Sequence, residues 1–354
     1  MKIKMLIATI DNAYATLLSD NISERHANIL EISVCSTLDG FSDMLKKQKF
    51  DVALIDAVFT KGIDKTAVQL PVLLWSENDA ADFEIPADME KMNKHQRIST
   101  MVATILEKYA KVSKNRIDSD IKDAAITAFW SPAGGVGKTS SALAYALSNV
   151  SADGIYQNSL SPRKDVFYLN LENFSSVPGF FDKAGKSISS VFEMLDTREG
   201  NIKMLIQGIC CRDKGIMYLC GPENYVDMNI LTSENITELV TSCAKLADEL
   251  VIDLPCVCDT RTEKVFDLAG KVFIVTDQSA SAGVKLMQFV TQNDVFDMIM
   301  EKTVLIVNKG AAIANHPVDN IISMPFIQSN DMVSVITKLS DNFYGAATEI
   351  YPNI

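Results

Sequence analysis

Between an apolar strand and a helix-forming run, the chain carries Ser131-Pro-Ala-Gly-Gly-Val-Gly-Lys-Thr139, a junction that restricts the fold more than any other stretch. Gly134, Gly135 and Gly137 admit backbone angles and close approaches that a Cβ would obstruct, so successive N–H groups can turn toward one anion. The helix that starts here adds free N–H groups and the positive end of its dipole. Val136 spaces the glycines, Lys138 supplies a mobile point charge for β and γ phosphates, and Thr139, followed by Ser140, offers a hydroxyl to Mg²⁺. A turn that merely opened a helix has no reason to set Lys-Thr beside glycines. The loop therefore predicts a parallel α/β sheet that takes ATP and Mg²⁺ at its carboxyl edge. Glu249-Leu-Val-Ile-Asp253 adds a second signal, because an apolar strand ending in Asp253 would bring a magnesium-binding carboxylate to the same edge.

The remaining pattern agrees with this class. At 354 residues the chain has room for two domains, and apolar strand-like runs alternate with helix-like segments along its length, as parallel sheets with helical crossovers require. Strands are expected at Ile3–Ile10, Asn28–Ser36, Val52–Ile55 and Val72–Trp75, with helices at Asn12–Glu24, Leu38–Gln48 and Gln96–Ala110. The polar run Lys111-Val-Ser-Lys-Asn-Arg-Ile-Asp-Ser-Asp120 has no apolar stripe and reads as a linker. Beyond it come strands at Ala124–Phe129, Val166–Leu169, Ile216–Leu219, Leu250–Ile252, Val272–Val275, Val304–Val307 and Ile321–Met324, and a helix at Thr139–Val150. The expected division is 1–112, a linker at 113–122, and 123–354.

Composition excludes several function classes. With 33 basic against 45 acidic residues, net −12, the chain lacks the basic surface of a general nucleic-acid binder. No run approaches the roughly 18 apolar residues of a spanning helix, and the N-terminus has no export signal, so a cytoplasmic protein is expected. The tail Ser340–Ile354 has no Lys or Arg and contains Gly345 and Pro352, which argues against a membrane-surface helix and direct membrane insertion. The seven cysteines are irregularly spaced; Cys256-Val-Cys258 lacks a second pair to complete a metal site, and it and Cys210-Cys211 read as buried or semi-buried thiols. His26, His95 and His316 share no motif.

Gly134-Gly-Val-Gly-Lys-Thr139 together with Asp253-Leu-Pro255 resembles the deviant Walker-A ATPases that include the MinD and ParA families, over roughly residues 124–330. In that family the second strand ends in Asp-x-Asp, where this chain has Asn170-Leu-Glu172. A late strand there ends in an adenine-reading Asn, matched by Asn308, and Pro325-Phe-Ile327 is similar to the adenine-flanking segment. The resemblance implies Lys138, Asp253 and Glu172 as the catalytic set, with Asn308, Pro325 and Phe326 around the base. The family loop usually begins Gly-Lys-Gly-Gly; here Pro132 and Ala133 precede Gly134, so the lysine that reaches across a dimer is absent. Asn170 likewise cannot deprotonate water. Strong ATP binding with slow hydrolysis is the expectation.

In the first half, Asp56 ends a strand, Asp11 follows the first strand, Ser76 the fourth, and Lys94 precedes the last helix. This resembles a response-regulator receiver with Asp56 as phosphoacceptor, without the usual second acidic residue beside Asp11 or the usual Lys-Pro. A degenerate receiver joined to a MinD/ParA-like ATPase resembles the CpaE and TadZ family of tight-adherence pilus localisation factors. That implies a homodimer set by ATP, pilus or secretion proteins as partners, and concentration at a cell pole or assembly site. The alternative is an active ATPase of DNA partition or cell-division positioning.

Overall fold

The computed structural model describes residues 2–76, 89–113, 124–150, 164–310 and 317–350, apart from 28, 65, 183 and 199. By its internal contacts the chain divides into two units, Met1–Asp120 with Glu199–Gly208, and Ile121–Arg198 with Ile209–Ile354.

The first unit contains β1 (Ile3–Ala8), α1 (Asn12–His26), β2 (Leu30–Cys35), α2 (Leu38–Lys47), β3 (Phe50–Ile55), β4 (Val68–Trp75), β5 (Glu90–Asn93) and α3 (Ile98–Val112). All five strands are parallel, in the order β2-β1-β3-β4-β5, which is a flavodoxin-like doubly wound sheet. The central strands β1, β3 and β4 are largely apolar runs, as strands covered on both faces require, whereas β5 at the edge buries only Met92. A 3₁₀ turn at Ala57–Gly62 replaces the helix usual after β3; its Phe59 packs on Phe41 of α2, ring centres 5.2 Å apart. The strand order reverses between β1 and β3, so residues just past those two strands share one crevice.

From Ala125 onward the chain runs β6 (Ala125–Trp130), α4 (Lys138–Val150), β7 (Val166–Asn170), α5 (Ser189–Thr197), α6 (Ile202–Ile209), β8 (Cys211–Asp213), β9 (Ile216–Tyr218), α7 (Ser233–Ala244), β10 (Glu249–Asp253), α8 (Thr260–Leu268), β11 (Lys271–Asp277), α9 (Ala280–Val290), α10 (Asn293–Ile299), β12 (Thr303–Asn308), β13 (Ile321–Ser323) and α11 (Met332–Ile350), all of it in the second unit except most of α6. Most of α6 lies in the stretch that groups with the first unit. There the Asn201 N–H donates to the Ala110 carbonyl at 2.9 Å, and a Cβ on Gly208 would stand 2.6 Å from the Leu106 Cβ.

The eight strands are ordered β13-β12-β11-β6-β10-β7-β9-β8, parallel except for β8, which turns back on β9 at one edge. Phe129, Tyr145, Phe273 and Phe343 meet edge-on or stacked between the sheet, α4 and α11. That packing fixes the start of α4 over the carboxyl end of β6. At the opposite end of the sheet, buried Glu249 accepts from Thr127 Oγ1, Tyr145 Oη and Lys164 Nζ, closing that edge with satisfied polar groups.

Candidate functional site

The segment after β6 forms the nest that its glycines predict. Gly135 and Gly137 take φ of +77° and +93°, and no atom lies within 4 Å of a Cβ built on Gly134 or Gly135, so the loop presents backbone to an open face. Gly137 faces protein instead. A Cβ there would lie 2.0 Å from Asn308 Nδ2, which donates to the Val136 carbonyl at 2.8 Å. Asn308, at the end of β12, thus clamps the loop from the next crossover. Gly137→Ala combines a left-handed φ with that collision, and we expect loss of the clamp, about 2–4 kcal/mol of stability, and ATP binding reduced in parallel. Urea unfolding and nucleotide titration of the variant check both; an unchanged midpoint would remove the clamp from the account.

Strand ends position the charge. Parallel registry sets Asp253 beside Phe129 of β6 and beside Asn170 of β7, so all three arrive at one level of the sheet. Lys138 Nζ lies 2.5 Å from Asp253 Oδ1 and 2.8 Å from Glu172 Oε1, with the lysine 5% and Asp253 0% exposed. Burial alone would push the Lys138 ammonium down; Asp253 first, then Glu172, more than offset this and hold it above its ordinary value. Asp253 Oδ2 accepts from Tyr168 Oη at 2.9 Å and from Asn170 Nδ2 at 3.0 Å. Burial and then the Asp253 charge hold the Tyr168 phenol well above its usual range, so it remains a donor. Asn170 also accepts from the Glu172 N–H at 3.2 Å, and Thr139 Oγ1 stands 3.5 Å from Glu172 Oε2.

These groups fit a magnesium nucleotide by their chemistry. An exposed nest of amides suits phosphate, while the Thr139 hydroxyl, Asp253 and Glu172 are oxygen donors suited to a hard dication. Ser140 follows on the first turn of α4 and is half-buried, whereas Val136 is buried beneath the loop. Pro325 and Phe326 lie exposed just past β13, where the Met324 N–H bonds Val307 and its carbonyl receives the Gly310 N–H. Phe326 is 65% exposed.

Two contributors were not anticipated from sequence. Tyr168 shares a strand face with Asn170 by the two-residue period, and that period was the available signal. Lys309, with φ +63°, sends Nζ to the Gly135 carbonyl at 2.8 Å and to Asp277 at 3.2 Å. It places a second cation beside a loop in which Lys138 is the one charged residue.

In the first unit, the crevice between β1 and β3 holds Asp56, 5% exposed. Its carboxylate lies 2.5 Å from Lys94 Nζ and accepts from Thr9 Oγ1 at 2.6 Å and the Ile10 N–H at 3.2 Å. Asp11 instead caps α1 by accepting from the Tyr14 N–H, and Thr9 takes the place beside Asp56. Burial first, then Asp56 and Asp11, push the Tyr14 phenol up to about 12. Ser76 is buried at the end of β4. So Asp56 and Lys94 meet, and Asp11 has a different task.

The cysteines differ in part from expectation. Cys256 and Cys258 are exposed, because the turn after β10 runs over the surface before α8 begins. Among the described residues no group of three or more His, Cys, Asp or Glu is arranged to hold a metal, and no helix is long and apolar enough to cross a membrane.

Among solved structures, the chain is similar to a ParA family ATPase from Chlorobium tepidum, at 15% identity over 65% of this chain and 94% of that one, TM-score 0.47. It is similar to a putative plasmid partition protein from Borrelia burgdorferi bound to AMPPNP, at 16% identity over 64% and 99%, TM-score 0.46. A third is the septum site-determining protein MinD complexed with Mg-ADP from Pyrococcus horikoshii, at 15% identity over 64% and 96%, TM-score 0.47. No family model matches the sequence, and no curated protein does.

Proposed function

We propose that this chain is an ATP-binding localisation protein in which Lys138 trades carboxylate partners for phosphate when Mg–ATP enters. The observation that carries the reading is the Lys138–Asp253–Glu172 cluster under an open glycine nest. One ammonium faces two carboxylates, so this cluster has a formal charge of −1 and repels a bare polyphosphate. Magnesium, when bound, would supply the compensating charge; Thr139, Asp253 and Glu172 are the residues that would hold it, leaving Lys138 to pair with the β and γ oxygens. Amides of residues 134–139 hold the anion, and Asn308, Pro325 and Phe326 border the base.

Asn170 bears on turnover. Its amide donates to Asp253 and accepts from Glu172, leaving it no basicity to activate water, so hydrolysis is slow. ATP therefore acts as a lasting ligand that sets the homodimer. The flavodoxin-like unit ahead of the phosphate-loop unit supports the tight-adherence pilus reading, in which the first unit offers partner surface and pilus assembly proteins are recruited to one site. The partition-type ATPase reading requires rapid turnover and a basic face; a turnover number of the order of 1 s⁻¹, in the ordinary enzyme range, would favour it.

The test is thermal unfolding with ATP at about 100 times its Kd, which adds about 2.7 kcal/mol and raises Tm by roughly 5–10 °C for a unit of this size. With EDTA in place of magnesium the shift should shrink to a small fraction. An unmoved Tm with Mg–ATP would end this reading.

A further inference from the structure

Outside the phosphate loop, one cluster of nucleophilic side chains sits at the β8–β9 edge of the second unit. Cys211 opens β8 opposite Tyr218 of β9, and Cys220 follows two residues after Tyr218, so side-chain alternation puts both thiols on the same face. The two thiols hydrogen-bond each other. They also crowd a third element: a Cβ on Gly185 would stand 2.2 Å from the Cys211 Sγ and 3.5 Å from the Cys220 Sγ. Gly185 instead donates its N–H to Cys220 Sγ at 3.1 Å. Only a residue without a side chain lets this segment close over both sulfurs.

Cys220 is reachable from outside. Cys220, which is half-buried, lines a cavity of about 790 Å³ whose rim carries the stacked Phe174 and Tyr225 rings, 5.7 Å apart and 79% and 53% exposed. Cys243, by contrast, is buried, and Cys256 and Cys258 are exposed.

We propose that Cys211 and Cys220 form a redox-active dithiol, oxidised by hydrogen peroxide to a disulfide and restored by a small-molecule or protein dithiol. The Cys220 thiolate attacks one peroxide oxygen; the O–O bond breaks, hydroxide leaves and takes a proton as water, and Cys220 becomes a sulfenic acid. Cys211 sulfur then attacks the Cys220 sulfur, losing its proton, and the sulfenic oxygen departs with a proton as a second water. Two thiols have lost two electrons and peroxide has gained them. Reduction reverses the balance by thiol–disulfide exchange, the dithiol leaving as its own disulfide.

The roles of the two cysteines are set by their surroundings. The hydrogen bond from Cys211 first, and the Gly185 N–H with it, outweigh burial and bring the Cys220 thiol down to about 6, so it is the attacking sulfur. The Cys211 thiol is pushed far up, first by its bond to Cys220 and then by burial, so it is not the first to attack; once Cys220 is an uncharged sulfenic acid that restraint is gone, and Cys211 can release its proton and resolve the intermediate. Burial raises Cys256 and Cys258, which makes the two exposed thiols the slower targets.

The experiment treats the full chain with one equivalent of hydrogen peroxide, blocks residual thiols with iodoacetamide, and maps the peptides by mass. The expected product is a cross-linked peptide pair joining Cys211 to Cys220, reversed by dithiothreitol. In Cys211→Ser the same treatment with dimedone present should label Cys220 as a trapped sulfenic acid, and Cys220→Ser should give neither product. A Cys256→Ser/Cys258→Ser background should leave the yield unchanged. Oxidation that appears first at Cys256–Cys258, or alkylation of both Cys211 and Cys220 after peroxide, would overturn the proposal. Circular dichroism of each variant shows that it is folded, and the wild-type cross-link decides the matter if a serine variant is not. The readout does not involve nucleotide, so its failure leaves the ATP reading standing.

Discussion

Lys138→Ala should weaken ATP binding at least 100-fold, about 2.7 kcal/mol, and should also destabilise the protein without nucleotide by about 3–5 kcal/mol. Both effects follow from one ammonium group. With nucleotide bound, the lysine is the only charge of the loop that can follow the β and γ oxygens. Without it, that lysine neutralises Asp253, which is wholly excluded from water. Truncation leaves a buried carboxylate with two neutral donors, Tyr168 and Asn170, and no cation. Such a loss is large beside the roughly 5–15 kcal/mol that holds a domain together. Chemical denaturation of the apo variant and ATP titration under conditions where it is folded measure the two losses separately. Weakened ATP binding with an unchanged apo stability would mean that the ion pair contributes nothing to the resting state.

Asp253→Asn is nearly isosteric and should still cost about 3–5 kcal/mol, because no orientation of an amide suits this pocket. Oδ1 faces the Lys138 ammonium, and Oδ2 faces the Tyr168 hydroxyl and the Asn170 amide. An NH₂ in the first place meets a cation; in the second it meets the Asn170 NH₂ and a Tyr168 hydroxyl that must give up its role as donor. Glu172 would remain as the single carboxylate partner of Lys138, from a 26% exposed position where water competes. Thermal unfolding of the variant, with Mg²⁺ and without, checks the prediction. Stability close to wild type would show that the pocket can rotate Tyr168 and Asn170 away, and that the convergence of donors is incidental.

Much of this site was legible because it is local. A strand, three glycines, Lys-Thr and a helix follow one another without interruption between residues 125 and 150, and Asp253 is marked by the apolar run it ends. The doubly wound class was legible for the same reason, since alternating strands and helices leave a pattern in short windows. What stayed hidden is long-range or weakly patterned. The bond from Lys138 to Asp253 spans 115 residues and the clamp from Asn308 to Val136 spans 172, distances over which no periodicity speaks. β5 went unseen because Glu90–Asn93 buries only Met92, and β8 because three residues with one small apolar side chain show no alternation. Asp11 follows the first strand yet stands apart from Asp56, and a local rule accounts for it. An Asp directly before a helix is a good N-cap, and that use leaves Thr9, two residues earlier, to meet the carboxylate.

The polypeptide visits the first unit twice, since residues 199–208 return to it from deep within the later sequence. A cut in the connecting segment would therefore not yield two self-sufficient fragments. The leading piece would leave Leu106 of α3 without its cover, and the trailing piece would carry Leu205 and Ile206, both fully buried in the intact chain, as a naked greasy stub. A truncation that respects only the linear order of the two halves would part residues 199–208 from the unit with which they pack.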